Sequence, residues 1–276
     1  MKPARFGYAR PDTLDGALAI LAEQGVEAAI LAGGQSLMPM LNLRMARPGL
    51  LLDINRIPGL DAIALSGGVL TIGARARHAE VLASPLVREA APMLVQALAH
   101  VAHPAIRNRG TLGGSLALAD PAAEMPACIT ALGATLVVAS ARGERRIAAE
   151  TFFLGVYATT LEPDELVLRV EIPAISPGWS HGFHEVARRH GDYAMAGLAL
   201  ALHREGSRVV EARIAFCGVE AATRRQAEVE AVLVAQGAEA ACAALAGLDA
   251  MAGAEVTAAH RIHLARVLLR RALGQA

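Results

Sequence analysis

An α+β fold is predicted for this chain of 276 residues: two small α/β units, then a C-terminal α+β domain with a small antiparallel sheet and helices. Three features carry that prediction. Strand-length apolar runs alternate with stretches of helical period through most of the chain. Two glycine pairs, Gly33-Gly34 and Gly113-Gly114, each lie beside an apolar segment. Beyond a stretch rich in proline and glycine at residues 172–178, strands come first and alanine-rich helices follow. The expected units are therefore 1–56, 57–175 and 176–276.

In the first unit, Leu14, Ala17, Leu18 and Leu21 recur at helical spacing behind a capping Asp12 or Thr13, predicting a helix over residues 12–22. Residues 28–31 read as a buried strand running straight into the first glycine pair. Pro39 interrupts the helix formers of residues 36–45, which predicts a one-turn or irregular helix, and residues 50–54 give a second strand closed by Asn55 and Pro58. The second unit repeats the theme with a strand at 70–73, a helical region at 85–99 and the second glycine pair. A helix at 121–132, a strand at 135–139, a turn at Arg142-Gly143 and a further strand ending in the extended residues 166–173 complete it. In the third unit the expected strands lie near 183–187, 198–203 and 209–216, and the helices near 226–236, 239–245 and 258–272.

Composition removes several function classes. Lys+Arg and Asp+Glu balance at 26 each, which leaves no electrostatic case for a nucleic-acid or anionic-membrane partner. At 3% aromatic residues, base-stacking platforms are scarce as well. The longest apolar stretch, residues 193–202, is about half of what spans a bilayer, so no membrane span is expected. No signal peptide is legible at the N-terminus, and a cytoplasmic location is expected. Cys128, Cys217 and Cys242 are odd in number and scattered, unlike a disulfide framework, a zinc site or an iron–sulfur centre. No metal site is expected here, and metal chemistry would belong to another chain. The histidines show no ligand spacing, and neither glycine pair completes a G-x-S-x-G elbow.

The strongest local feature is Leu31-Ala32-Gly33-Gly34-Gln35-Ser36-Leu37, where a strand ends and the chain turns. Bare main chain at Gly33 and Gly34 lets backbone N–H groups approach a phosphate, and Ser36 adds a hydroxyl. A plain tight turn explains the same residues. Thr111-Leu112-Gly113-Gly114-Ser115 supplies a second glycine segment flanked by hydroxyls. If the two converge, they surround a diphosphate without any lysine; if not, they are unrelated turns. Asp120-Pro121 reads as a helix start, and Glu124 one turn on is suited to accept from ribose hydroxyls or an adenine amine; a plain capped helix explains the same residues. Tyr193, in Gly191-Asp192-Tyr193-Ala194, reads equally as a strand-end aromatic or as a ligand-stacking one.

With both segments in view, the sequence resembles the FAD-binding medium subunit of molybdenum-containing hydroxylases, the group of aerobic carbon monoxide dehydrogenase and bacterial xanthine, nicotine and caffeine dehydrogenases. The resemblance rests on Ala32-Gly33-Gly34-Gln35-Ser36-Leu37-Met38-Pro39-Met40 with Arg44, on the run from Ile106 through Ser115 and on to Ala119-Asp120-Pro121-Ala122-Ala123-Glu124, and on Gly191-Asp192-Tyr193-Ala194. It implies a PCMH-type FAD-binding region in the first two units. FAD would contact Leu31, Ala32, Gly33, Gly34, Gln35, Ser36 and Leu37 on one side and Thr111, Leu112, Gly113, Gly114 and Ser115 on the other. By position, Val101 and Val167 would pack on the flavin or adenine and Glu124 would meet the ribityl or ribose hydroxyls. His184 stands where relatives often carry a basic residue, and Tyr193 matches a lid over one flavin face.

The resemblance further implies molybdopterin on a large partner subunit and [2Fe-2S] clusters on a small one, in a dimer of heterotrimers. Electrons would pass through the flavin to an external acceptor, and no catalytic acid or base is assigned to this chain because the chemistry belongs to the cofactor. Two other readings compete: a self-sufficient FAD-dependent oxidoreductase acting directly on a small molecule, and a nucleotide-binding regulatory module without redox turnover.

Overall fold

The computed structural model describes residues 2–253 and 256–274. Among the described residues, three sheets of three or more strands follow one another along the chain, beside a two-stranded pairing of Phe153–Gly155 with Ala158–Thr159. The first is parallel, with Leu50–Asp53 at its centre between Gly7–Ala9 and Ala28–Leu31. Its crossover carries the short helix Leu37–Asn42, and the helix Leu14–Gln24 begins at Thr13, whose hydroxyl accepts from the Gly16 amide. A parallel sheet presents the carboxyl ends of its strands on one edge, where ligands characteristically bind. The first glycine pair and Asn55 both lie at that edge.

The second sheet is antiparallel, in the order Ile63–Ser66, Val69–Gly73, Leu166–Pro173, Thr135–Ser140, Gly143–Ala148. Its first two strands form a hairpin that the sequence reading lacks. The turn is the two-residue Gly67-Gly68, with φ of 56° and 77°, the geometry in which glycine best matches the twist of the flanking strands. The helical region expected at 85–99 is two helices, Pro85–Ala90 and Pro92–His100, because Pro92 starts a new one.

The third sheet, Trp179–Val186, Ala196–Glu205 and Arg208–Cys217, is antiparallel. Its central strand is buried on both faces. Ala199 and Ala201, with Phe183, Ala215 and Cys217, join the core of the second unit, whereas Leu198, Leu200 and Leu202 pack under the helices Ala227–Gln236, Ala238–Ala244 and Ala258–Ala272. That double burial explains the apolar run at 193–202 as a strand. No helix among the described residues is long and apolar enough to cross a membrane.

Residues on both sides of the stretch at 172–178 therefore share one core. At the shared face lies the helix Glu124–Ala131, all eight residues of which are buried. A helix with no polar stripe suits a position enclosed on every side.

Candidate functional site

The glycine segments converge. A cavity of about 640 Å³ opens between them, within the range of about 300–1,000 Å³ typical of small-molecule sites. Gly33 marks the closest approach: a Cβ there would lie 2.9 Å from Gly110 Cα and on top of the Arg109 carbonyl oxygen. Only glycine admits the neighbouring main chain at that distance.

The first segment follows directly from its strand. Gly34 takes φ of 71°, and Gln35 Nε2 donates to the Gly33 carbonyl at 2.9 Å, which braces the turn. The Ser36 hydroxyl makes no capping bond. Among the described residues, the amides of Gly33, Gly34, Gln35 and Ser36 have no protein acceptor. Four clustered, free N–H groups form an anion-binding concavity. The strand before them, expected to be buried, is half-exposed because Ala28, Ala29 and Ile30 border the cavity.

The second segment departs from expectation. It is the first turn of the helix Leu112–Leu118, capped by Thr111, and not a second glycine loop. The amides of Leu112 and Gly113 donate to the carbonyls of Ala76 and Ala74 at 3.0 and 2.8 Å, and that of Gly114 donates to Thr111 Oγ1 at 3.1 Å. These N–H groups are therefore already engaged, and what this side offers is the hydroxyls of Thr111 and Ser115 beside an exposed Gly114. Gly113 serves packing instead: a Cβ on it would sit 2.7 Å from the Ala74 carbonyl oxygen. Leu112 is fully buried and does not reach the cavity wall.

Other residues of the wall come from separate elements. Val101 precedes Ala102, whose φ is 42°, and the pair is held by Arg107, which donates to both carbonyls at 2.7 and 3.1 Å. Val167 lies at the register shift in the long strand of the second sheet. Ala32, Gly33, Gly34, Gln35, Ser36, Leu37, Val101, Thr111, Gly113, Gly114, Ser115, Glu124, Val167 and Tyr193 all border the cavity. Leu31 lines a neighbouring pocket of about 460 Å³ on the other side of the glycine turn. His184 is exposed on its strand, near His100 and outside the wall.

Glu124 heads the enclosed helix with its side chain at the cavity. Burial, with Glu185 and Asp120 nearby, pushes its carboxyl up to about 8, so near neutral pH it is an uncharged acid that can donate as well as accept. Glu185, on the strand Trp179–Val186, is pushed up to about 7 by burial. Tyr193 is 72% exposed at the cavity mouth. Asp120 of the wall accepts from the Ala122 amide at 2.9 Å and from the Tyr157 hydroxyl at 3.4 Å.

Several wall residues escaped the sequence reading. Asp120, expected to start a helix, instead lies in the wall, because the helix begins only at Glu124. Buried His78 borders the second segment, and desolvation takes its imidazole down to about 4, leaving it neutral. Leu161, Glu162 and Pro163 enter from a loop with no local signal.

The donor set fits a dinucleotide diphosphate: free amides on one side, hydroxyls on the other, and apolar walls beyond. Comparison with known proteins agrees. Residues 4–175 match the family described as FAD binding domain in molybdopterin dehydrogenase, and residues 181–276 match the CO dehydrogenase flavoprotein C-terminal domain. The chain is 41% identical to the 6-hydroxypseudooxynicotine dehydrogenase complex subunit alpha of Paenarthrobacter nicotinovorans, over 100% of this chain and 96% of that one. It is 49% identical to the caffeine dehydrogenase subunit beta of Pseudomonas sp. (strain CBB1), over 79% and 75%. A solved carbon monoxide dehydrogenase from Hydrogenophaga pseudoflava superposes with a TM-score of 0.96 at 36% identity, covering 100% of this chain and 98% of that one. An α+β chain with this cavity, matched along nearly its whole length, belongs to the family of FAD-binding medium subunits of molybdenum-dependent dehydrogenases.

Proposed function

We propose that this chain is the electron-transferring FAD subunit of a heteromeric molybdenum hydroxylase. In this reading a large partner subunit oxidises the substrate at a molybdopterin centre, and a small partner carries the electrons over [2Fe-2S] clusters. This chain passes them to an external acceptor, in a cytoplasmic dimer of heterotrimers. The observation that carries the reading is the cavity between two glycine segments distant in sequence, one of which leaves four amides without an acceptor. The names of the relatives, subunits alpha and beta of dehydrogenases, support membership of a multi-subunit assembly. Three buried, scattered cysteines fit a division of labour in which cluster ligands lie on another chain.

Bound FAD supplies the redox chemistry. The chain's own residues bind and orient. Units 1–56 and 57–175 enclose the dinucleotide, and unit 176–276 contributes Tyr193 at the mouth. The amides of residues 33–36 face the diphosphate, the hydroxyls of Ser36, Thr111 and Ser115 add donors, and Val101 and Val167 exclude water from the apolar rings. Glu124, as an uncharged acid, holds a proton on its carboxyl and donates it in a hydrogen bond to a ribose or ribityl oxygen. Tyr193 covers one face of the flavin ring. Leu112 and His184 stand apart from this set.

Protein purified as it assembles should carry flavin that heat or acid releases in amounts stoichiometric with the chain, read from the absorbance of the supernatant. A colourless protein that takes up no added FAD would contradict the reading. Co-purification of the large and iron–sulfur subunits separates it from a self-sufficient FAD oxidoreductase, which would turn over substrate alone.

A further inference from the structure

Behind the glycine turn, one chain of hydrogen bonds runs from the first segment to the second. Asn55 follows the central strand of the first sheet, where its amide donates to Asp53 Oδ1 at 2.8 Å. Its Nδ2 donates to Asp53 Oδ1 at 2.7 Å and to the Ala32 carbonyl at 2.9 Å, immediately before the glycine pair. Asp53 is itself fixed: the Tyr8 hydroxyl donates to its Oδ2 at 2.6 Å, and Arg10 lies 3.6 Å away. Arg77 belongs to the other side. Its main chain bridges to Thr111, flanked by bonds from the His78 amide to the Gly110 carbonyl and from the Leu112 amide to the Ala76 carbonyl.

The Arg77 guanidinium joins the two halves. One of its nitrogens donates to Asn55 Oδ1 at 2.6 Å, and the other donates to the carbonyl of Arg109, the group pressed against Gly33. A planar fork reaching two acceptors holds both the distance and the angle between them. Burial and the nearby charges of Arg109 and Arg75 hold this guanidinium below its usual range.

We propose that Asn55 and Arg77 are a positioning pair that ties the two segments together across the unit boundary and sets the gap into which the diphosphate fits. The inference rests on the FAD reading above. The pair lies behind the turn, so it acts through the main chain of residues 32–33 and 109–110 and not through direct contact.

The test uses Asn55→Ala, Arg77→Met, the double variant and Asn55→Ser as a milder replacement, each purified in the same assembly as wild type and stripped of flavin. Dissociation constants for FAD and for ADP, which carries the diphosphate without the flavin, are measured beside the thermal midpoint of the flavin-free protein. Each single variant should weaken FAD and ADP by a similar factor, about tenfold, as expected for one lost charge-assisted or multiple hydrogen bond. The double variant should lose little more than either single one, because breaking the chain at either link frees the gap. Arg225→Gln serves as control: it breaks bonds to Glu150 and Glu230 far from the cavity and should lower the midpoint while leaving both affinities unchanged. Variants that bind both ligands within twofold of wild type, or whose losses simply add, would overturn the inference. Wild-type protein that takes up neither ligand would overturn the FAD reading, and the inference with it.

Discussion

Replacing Gly33 with alanine should empty the protein of FAD. The new methyl group would meet main chain on the opposite segment, Gly110 Cα at 2.9 Å and the Arg109 carbonyl oxygen, and neither can rotate away as a side chain would. Relief requires the two segments to separate, and that widens the gap on which diphosphate binding depends. We expect flavin content after gel filtration to fall to background and affinity to drop by at least about 100-fold, with overpacking lowering stability by about 1–3 kcal/mol. Gly34→Ala provides the contrast. Its Cβ would lie 3.2 Å from Met38 Cγ, the middle of a flexible side chain, and the main cost is a left-handed φ of about 1–2 kcal/mol. Wild-type flavin content in the Gly33 variant would mean that the segments are not held at the separation described.

The second large effect is a pH-dependent gain in stability on changing Glu124 to glutamine. Burial, with Glu185 and Asp120 nearby, raises the carboxyl to about 8 in the folded chain, against an ordinary value of 4.5. A raised acid contributes stability in full below its unfolded pKa, and the contribution is lost as pH climbs through the folded value. Flavin-free wild type should therefore lose stability between about pH 4.5 and 8, on the order of 4 kcal/mol from this group. Glutamine keeps the shape and donor capacity of the uncharged acid but has no proton to lose. Its thermal midpoint should match wild type near pH 5 and exceed it near pH 8.5. Glu185, raised to about 7, tilts both proteins the same way and largely cancels in the difference. A midpoint difference that stays constant from pH 5 to 8.5 would mean that folding does not raise the Glu124 carboxyl as described.

Much of the first segment could be read directly from the chain because its cause is local. A strand, two glycines and a hydroxyl are consecutive, and the turn at Gly34 needs nothing distant to form. The second segment does border the cavity, but its conformation was not legible. Its glycines open a helix whose first amides bond to Ala74 and Ala76, residues just after the strand Val69–Gly73 that only the fold brings near. Gly113 shows the same limit, since its missing side chain answers to Ala74 and not to a phosphate. Helical and strand periods located most elements of the third unit, where the apolar face of each helix meets a sheet. The Gly67-Gly68 hairpin was not legible because its strand Ile63–Ser66 has only four residues, whose inward positions are no more than half-buried. Asn55 and Arg77 illustrate what no local pattern carries: each is unremarkable in sequence, and their meaning arises from the acceptors they share.

The enclosed helix Glu124–Ala131 bears on how the protein can move. Its residues pack against two strands of the third sheet and against the helices Pro92–His100 and Leu112–Leu118, so the C-terminal portion is keyed into the rest and cannot swing as a hinged door. A chain nicked by protease within residues 174–178 would, for the same reason, still travel as one particle.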